Sequence, residues 1–367
     1  MKVKSNTIFT YENLHRAYLE CRQNKRKTIN ALEFEYDLER NLFLLLGELK
    51  ERTYKPRSSI CFVVTKPAVR EIFAADFRDR VVHHLFVAQL QQAAEKIFCF
   101  DSFACRKGKG THQAVKRIEN FILKVTKNYK QKAYFLQLDL ASFFMTIDQS
   151  ILYSLVRKLL GTAKDLSMKE EMLWLGKILV FEEPARNFRH KGDKALYRLL
   201  PQNKSLFGVA KGKGLPIGNH TSQFFANLYL NEVDQFIKRN LKAKFYVRYV
   251  DDFVILSRDK ERLKENMAQI DKFLKERLML RLNLKKTRLQ SLDKGIEFLG
   301  YFIKPEHILI KRSVVGRCRG KITSFKECVT TQNDKKKAEA TLASYLGHFK
   351  HGNAYFLPKG LKANLMS

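Results

Sequence analysis

The amino-acid sequence predicts an α+β fold, because strand-like and helical hydrophobic patterns follow one another along the chain. Residues 134–144 and 244–256 are apolar and β-rich, and the second run reads as two strands joined by a short turn. Apolar residues recur at helical spacing after Asn219 and again from Leu263 to Leu278. A further strand is predicted at residues 281–287. This order of strand, helix, hairpin, helix and strand is typical of a ferredoxin-like β-α-β-β-α-β unit whose acid-bearing strands are central.

Two adjacent aspartates, Asp251 and Asp252, lie at the predicted tip of the hairpin. Two like charges on a buried tip are unfavourable unless a cation neutralises them. Oxygen ligands of this kind suit Mg²⁺, particularly where substrate phosphates complete the octahedron. Because side chains alternate along a strand, Asp251 is expected to be the main ligand and Asp252 a peripheral one. An exposed hairpin turn explains the same pair without a metal, since Asp is common in turns.

Asp139 lies within the apolar run 134–144. An acid in such a run is either a metal ligand or a strand-end cap, and the cap is the commoner of the two. A site with two catalytic metals needs a carboxylate from outside the hairpin. In combination with Asp251, Asp139 is therefore predicted to be a metal ligand.

These acidic runs and two further motifs occur in an order and spacing that resemble those of reverse transcriptases. The resemblance extends from about residue 31 to residue 353, and its four motifs are Leu138–Phe144 (motif A), Gly214–Gln223 (motif B), Tyr249–Asp252 (motif C) and Phe298–Tyr301 (motif E). Motif B contains Ile217-Gly218 and Ser222-Gln223, the form found in diversity-generating retroelements. Group II intron and retron enzymes usually have Gln-Gly and Ser-Pro at these positions.

The resemblance implies a right-hand polymerase fold with fingers, a ferredoxin-like palm and a helical thumb, and it makes residues 297–301, which include motif E, the primer-grip strand. Residues 1–58 are expected to form an N-terminal helical extension, 59–300 the interleaved fingers and palm, and 301–367 the thumb. The segment between motifs A and B is longer than the compact family pattern needs. Its basic stretch, residues 186–194, is interpreted as a loop or small insertion facing RNA or a partner, with a solvated charged loop as the alternative.

The same resemblance implies the catalytic residues. Asp139, Asp251 and Asp252 would bind two Mg²⁺ ions, with Mn²⁺ as the substitute metal, and the backbone carbonyl of Leu140 would complete the metal shell. The residues implied in nucleotide binding are Arg70, Phe144, Ile217, Gly218 and Lys286.

Several of these roles have a plain structural alternative. Arg suits a triphosphate because its planar guanidinium can bind two phosphate oxygens at once, but Arg70 could instead pair with Asp76 or Asp79. One of Phe143 and Phe144 is expected to be core, and the resemblance makes Phe144 the steric gate that excludes a ribose 2′-hydroxyl. Lys286 is either a general acid toward pyrophosphate or a surface lysine.

A glycine-rich basic loop precedes motif A and resembles the family motif that lies over template and nucleotide. Glycines between basic residues let the backbone approach phosphates closely. The nucleic-acid-binding residues predicted in this loop are Arg106, Lys107 and Lys109.

The charge of the chain agrees with a nucleic-acid partner. Among 367 residues, 69 are Lys or Arg and 37 are Asp or Glu, so the formal net charge is +32. Such an excess is the electrostatic footprint of a nucleic-acid binder, although some proteins are merely basic. The sequence contains no amphipathic or lipidation signal that indicates a membrane partner. Six scattered cysteines favour neither a zinc site nor a disulfide framework, and a cytoplasmic location is expected.

The function predicted from these features is RNA-directed DNA synthesis in a bacterial or phage-encoded diversity-generating retroelement. Ile217 has no hydrogen-bonding group to replace the usual Gln, so copying of template RNA into cDNA is expected to be error-prone. The implied partners are template RNA, the RNA/cDNA duplex, deoxynucleoside triphosphates and a small basic accessory protein. The alternatives are a phage-defence or retron reverse transcriptase and, in a different class, a non-catalytic RNA-binding protein that retains the fold.

Overall fold

The computed structural model describes residues 7–23, 28–161, 166–328 and 331–354. The chain divides into two compact units, each assembled from three segments. The first unit comprises Met1–Cys99, Leu140–Phe236 and Ile270–Leu282. The second unit comprises Phe100–Asp139, Ile237–Gln269 and Asn283–Ser367.

Groups of helices and strands follow one another through the described residues. The α-helices are α1 (Tyr11–Arg22), α2 (Ile29–Tyr36), α3 (Leu38–Lys50), α4 (Phe77–Ile97), α5 (Thr111–Val125), α6 (Phe143–Thr146), α7 (Gln149–Leu160), α8 (Leu166–Val180), α9 (His220–Gln235), α10 (Lys260–Leu278), α11 (Arg312–Cys328) and α12 (Gln332–Phe349). The strands are β1 (Ser59–Val64), β2 (Arg70–Ala74), β3 (Tyr134–Leu138), β4 (Phe188–His190), β5 (Phe245–Tyr249), β6 (Asp252–Ser257), β7 (Arg288–Ser291), β8 (Ile296–Phe298), β9 (Tyr301–Lys304) and β10 (His307–Ile310).

The first unit is mainly helical, and its helices bury the stripes that the hydrophobic spacing predicts. In α1, Leu14, Tyr18 and Cys21 are buried, and in α3, Leu42 and Leu45 are buried. Residues three and four apart lie on one helix face, so an apolar stripe at this spacing needs a packing partner. Helix α1 packs against α3 and α4, and α4 packs against α9.

A three-stranded sheet in the first unit has the order β2-β1-β4. Strand β1 pairs antiparallel with β2 and parallel with β4. Strand β4 lies within the basic stretch between motifs A and B, so this stretch is not a loop throughout, and its interpretation as a small insertion facing RNA or a partner stays a prediction. The buried Glu71 side chain on β2 accepts hydrogen bonds from Ser205 Oγ, at 2.8 Å, and from the backbone N–H of Leu206. The segment is thus joined to the sheet by main-chain and side-chain bonds, while Arg186 and Arg189 remain exposed.

The second unit contains a four-stranded sheet of order β5-β6-β3-β7. Each pair of neighbouring strands is antiparallel, with Leu136 opposite Ile255 in β3–β6 and Val247 opposite Val254 in β5–β6. Strands β3 and β6, which adjoin the aspartates, are the two central strands. The predicted central position of the acid-bearing strands is therefore confirmed.

Two predicted strand positions are wrong. Residues 281–287 form a bridge at Leu282 followed by a turn, in which the N–H groups of Lys286 and Thr287 both donate to Asn283 O at 3.0 Å. The strand begins only at Arg288. Motif E is also not one strand but a hairpin, because Leu299 and Gly300 have φ values of 50° and 88° and join β8 to β9. Two positive φ values at the centre are typical of a type I′ hairpin turn.

The predicted helical region after residue 311 is confirmed for its described part, which forms α11 and α12. Their contact is lined by buried apolar residues, namely Val314, Cys318, Ile322, Leu342 and Phe349. Residues 329–330 and 355–367 lie outside the described part of the chain. In the ranges that are described, every helix is too short or too polar to cross a lipid bilayer.

Candidate active site

The tip of the β5–β6 hairpin is a two-residue turn of Val250 and Asp251, closed by pairing of Tyr249 with Asp252. Val250 has a φ of 54°, in the left-handed region. A β-branched residue is rarely found there, and such backbone strain is frequent at functional sites. Asp251 and Asp252 are both partly buried. The strained turn thus places two carboxylates at one end of the central strand β6.

Asp139 comes directly after β3 at the same end of the sheet. Leu138 pairs with Phe253 in the antiparallel register of β3 and β6. One step further, that register places Asp139 opposite Asp252. Directly opposed residues of antiparallel strands have Cβ atoms about 4.5–5.5 Å apart. The three predicted acids are thus brought together at one end of the central strands.

Two further side chains hold the carboxylate of Asp139. Asn283 Nδ2 donates to Asp139 Oδ2 at 3.0 Å, and the Asn283 backbone N–H donates to the Asp139 carbonyl at 2.8 Å. Lys286 Nζ lies 3.1 Å from Asp139 Oδ1 and 3.0 Å from Oδ2. Lys286 was predicted to lie near the reaction centre, and the structure places it against a predicted metal ligand. The sequence pattern does not point to Asn283, because the run around it also suits a strand.

The acids act on one another electrostatically. Burial, followed by the negative charges of Asp251 and Asp139, raises the pKa of Asp252 to about 7, against the opposing charge of Lys286. Neighbouring carboxylates raise a pKa because each disfavours the charged form of the other. A divalent cation would remove this repulsion, so the chemistry of these donors fits a hard metal ion such as Mg²⁺.

The side-chain arrangement is not that of a metal-loaded site. Within the described ranges, no three His, Cys, Asp or Glu side chains are grouped so that they could hold a metal ion. The Lys286 ammonium and the Asn283 amide satisfy the Asp139 carboxylate in this arrangement. Leu140, whose carbonyl was predicted to join the metal shell, is buried and forms a bridge with Leu282.

Three of the predicted nucleotide-binding residues lie along strand β2 in the first unit. The Phe73 N–H donates to Ile217 O at 2.9 Å. Gly218 has a φ of 129°, and a Cβ built on it would lie 2.8 Å from Phe73 O. Arg70 is the first residue of β2 and is exposed. Motif B is therefore packed against the strand that begins with Arg70.

The alternative for Arg70, an ion pair with a nearby Asp, is not seen among the described residues. Asp79 is buried and accepts hydrogen bonds from Tyr54 Oη at 2.9 Å and from the Arg57 backbone N–H at 2.7 Å. Asp76 caps helix α4 by accepting from the Arg78 N–H at 3.1 Å.

The two adjacent phenylalanines of motif A differ in burial. Phe143 is 2% exposed, whereas Phe144 is partly exposed, and their rings meet edge to face at 5.2 Å. The Leu215 N–H donates to Phe144 O at 2.7 Å, which holds motif A to motif B. These positions agree with Phe143 as the core residue of the pair.

The three basic residues predicted in the glycine-rich loop have different surroundings. Arg106 is 9% exposed and donates to Ser102 O at 2.8 Å. Lys109 donates to Phe100 O and lies over the Phe100 ring, 4.3 Å from its centroid. Lys107 is exposed. Arg106 and Lys109 thus shape the loop, whereas Lys107 presents its charge to solvent.

Known structures share this fold. Apo telomerase from Candida tropicalis without its C-terminal domain aligns with a TM-score of 0.52 at 12% identity, covering 72% of this chain and 59% of that chain. Telomerase from Candida albicans in complex with a TWJ fragment of telomeric RNA aligns with a TM-score of 0.51 at 12% identity, covering 82% of this chain and 56% of that one. This chain spans less than three fifths of the length of these telomerase chains. The likeness shows a right-hand polymerase fold.

Sequence comparison gives a more specific relationship. Protein YkfC of Escherichia coli (strain K12) is 23% identical over 332 residues, which cover 79% of this chain and 77% of YkfC. Residues 64–303 match the family described as reverse transcriptase (RNA-dependent DNA polymerase). The matched segment covers well over half of the sequence, and the chain therefore belongs to the reverse transcriptase family of RNA-dependent DNA polymerases.

Proposed function

We propose that Asp139, Asp251 and Asp252 are the catalytic carboxylates of an RNA-directed DNA polymerase. The observation that carries this proposal is that the three acids converge at one end of the central strands. There, burial and the charges of Asp251 and Asp139 raise the pKa of Asp252. The reaction is attack of a primer 3′-hydroxyl on the α-phosphate of a deoxynucleotide paired with template RNA, which releases pyrophosphate. The test is whether the purified full chain, supplied with Mg²⁺, extends a DNA primer on an RNA template.

The three carboxylates would hold Mg²⁺, or Mn²⁺ in its place, with the Leu140 carbonyl as a further ligand. Bound there, the metal would favour ionisation of the 3′-hydroxyl and neutralise charge on the leaving group. Asn283 keeps Asp139 in its orientation through bonds to both its side chain and its carbonyl. Lys286 places an ammonium beside Asp139, and proton donation from it to the departing pyrophosphate would complete the transfer.

Sugar selection is assigned to Phe144. Its ring is only partly covered, so it can fill the space that a ribose 2′-hydroxyl would need. We expect Phe144→Ala to incorporate ribonucleotides at least about tenfold more readily relative to deoxynucleotides, because the steric barrier is removed. Competition between the two nucleotides in single-nucleotide extension measures this ratio. Phe181→Ala, which truncates another exposed ring of the first unit, is the control, and an unchanged ratio in Phe144→Ala would refute the gate.

The proposed biological role is mutagenic copying in a diversity-generating retroelement. The motif B pair Ile217-Gly218, followed by Ser222-Gln223, supports this subclass over a retron enzyme. Ile217 is held by its backbone carbonyl and its side chain is only partly buried. Its identity is therefore not dictated by core packing alone, and a side chain without a polar group cannot hydrogen-bond to a nucleotide or template base.

Restoring a polar side chain at this position should improve fidelity. We expect Ile217→Gln to lower the misincorporation frequency several-fold, with the largest change at template adenines, where the resemblance to diversity-generating retroelements implies that errors concentrate. Sequencing of cDNA made on a defined RNA template measures the error spectrum. Ile217→Leu, which keeps an apolar side chain, should retain the original spectrum. Identical spectra for Ile217→Gln and the unmodified chain would contradict the proposed origin of the errors.

The proposed partners follow from the reaction and the charge. Template RNA and the RNA/cDNA duplex would be gripped through their phosphates by exposed lysines of α11 and α12, which include Lys321 and Lys335–Lys337. Deoxynucleoside triphosphates are the substrates, and a small basic accessory protein and a bacterial cytoplasmic setting are proposed from the subclass. Accurate copying would instead favour a phage-defence or retron enzyme.

A further inference from the structure

Arg248, on strand β5, is an unusually buried cation. Its relative exposure is 1%, and burial of a guanidinium is costly unless its donors are satisfied. Arg248 Nη1 donates to the carbonyl of Val250 at 3.0 Å, and Nη2 donates to Ser102 Oγ at 3.0 Å. The guanidinium therefore joins two separate segments of the second unit.

The first of these segments is the tip of the β5–β6 hairpin, which carries Asp251 and Asp252. Val250 holds a positive φ and immediately precedes Asp251. A β-branched residue leaves this backbone conformation readily unless neighbouring groups hold it. The bond from Arg248 to the Val250 carbonyl fixes the peptide group that leads into Asp251. It thereby fixes the direction in which the Asp251 side chain leaves the turn.

The second segment is residues 101–103, at the start of the glycine-rich basic loop. The Arg248 N–H donates to Asp101 O at 2.9 Å, and the Phe103 N–H donates to Arg248 O at 3.0 Å. Asp101 is buried, and its carboxylate receives Arg117 Nε and Lys238 Nζ, each at 2.7 Å. The start of the loop is thus held by several bonds, and Ser102 provides an acceptor for the Arg248 guanidinium at a defined position.

We propose that Arg248 is a positioning residue for the metal-binding aspartates, and that Ser102 is its support. The inference rests on the proposed function, since it assigns Asp251 and Asp252 to metal binding. A planar guanidinium can donate to two acceptors in different directions with little loss of freedom, whereas a lysine ammonium on a flexible stem cannot reproduce that fork. Arg248→Lys should therefore keep the positive charge but lose the simultaneous hydrogen bonds to the Val250 carbonyl and the Ser102 hydroxyl.

The test uses Mn²⁺ as a paramagnetic probe of the site in the full-length chain. We expect Arg248→Lys to weaken Mn²⁺ binding, measured by electron paramagnetic resonance, by about tenfold, and to lower the incorporation rate by about 100-fold. Ser102→Ala should weaken both in the same direction by a smaller factor. Because both changes act through one guanidinium, the double variant should be no worse than Arg248→Lys alone.

Thermal unfolding and RNA affinity separate positioning from folding. A folded Arg248→Lys that binds Mn²⁺ as the unmodified chain does would overturn the inference. If Arg248→Lys does not fold, Ser102→Ala becomes the test. Unchanged Mn²⁺ binding in Ser102→Ala would then overturn the inference. Asp251→Asn provides the reference for a lost site. An unmodified chain whose Mn²⁺ binding equals that of Asp251→Asn would overturn the proposed metal site itself, together with this inference.

Discussion

Asp251→Asn is expected to abolish nucleotide incorporation, by about 1,000-fold or more, while the chain still folds and binds RNA. Asparagine has almost the same shape as aspartate but carries no charge, so the change removes a proposed metal ligand and leaves the packing nearly unchanged. The charge of Asp251 also contributes to the raised pKa of Asp252, so neutralising it relieves repulsion in the folded protein. Stability should therefore be retained while catalysis is lost. Primer extension, RNA affinity and thermal unfolding measured on one preparation test all three expectations.

Glu265→Gln is the matched control for this substitution. Glu265 is an exposed acid near the start of α10, a helix that follows the end of β6 opposite to Asp252. Its neutralisation changes the net charge of the chain by the same amount and should leave incorporation unchanged. If Asp251→Asn retained near-normal extension, the assignment of the hairpin acids to catalysis would be refuted.

Gly218→Ala is expected to have the second largest effect. A Cβ at this position would lie 2.8 Å from Phe73 O and 2.9 Å from Ile72 Cγ2, and the φ of 129° is one that L side chains rarely adopt. The methyl group must push motif B away from strand β2. We expect a loss of roughly 1–3 kcal/mol in the free energy of unfolding and a marked increase in KM for deoxynucleotides. Urea denaturation and steady-state kinetics measure the two effects.

Gly212→Ala separates the steric clash from the cost of a positive φ. Gly212 has a φ of 79°, but a Cβ there would meet nothing within 4 Å. The Gly212→Ala variant should lose some free energy of unfolding but keep the KM of the unmodified chain for deoxynucleotides. Equal KM values for Gly218→Ala, Gly212→Ala and the unmodified chain would show that the approach of motif B to β2 does not matter for nucleotide binding.

Much of this architecture could be predicted from local sequence patterns. The stripes of α1, α3 and α10 have helical spacing, and such spacing depends only on residues close in sequence. Continuous apolar runs adjoin both acids, since one run ends just before Asp139 and the other begins just after Asp252. This combination placed both strands at the centre of a sheet, where the structure has them.

What could not be predicted depends on contacts between distant residues. The pairing of β4 with β1 joins segments more than a hundred residues apart, and the exposed basic side chains of that region resemble those of a loop. The turn that begins at Asn283 lies in a run whose composition also suits a strand. Arg248 and Ser102 meet because the start of the glycine-rich loop runs beside β5, and residues this far apart in sequence have no spacing pattern that predicts their contact. Local pattern therefore located the acids, but not the residues that orient them.

In the proposed function, the three aspartates make this chain a polymerase rather than an RNA-binding protein with the same fold. The most direct measurement is single-nucleotide incorporation on a primed RNA template as a function of Mg²⁺ concentration, with RNA binding followed on the same samples. We expect template-dependent addition of deoxynucleotides that saturates with Mg²⁺ and is restored by Mn²⁺ after chelation. Tight RNA binding without incorporation at any concentration of either metal, with the cognate RNA and a basic accessory protein present, would contradict it.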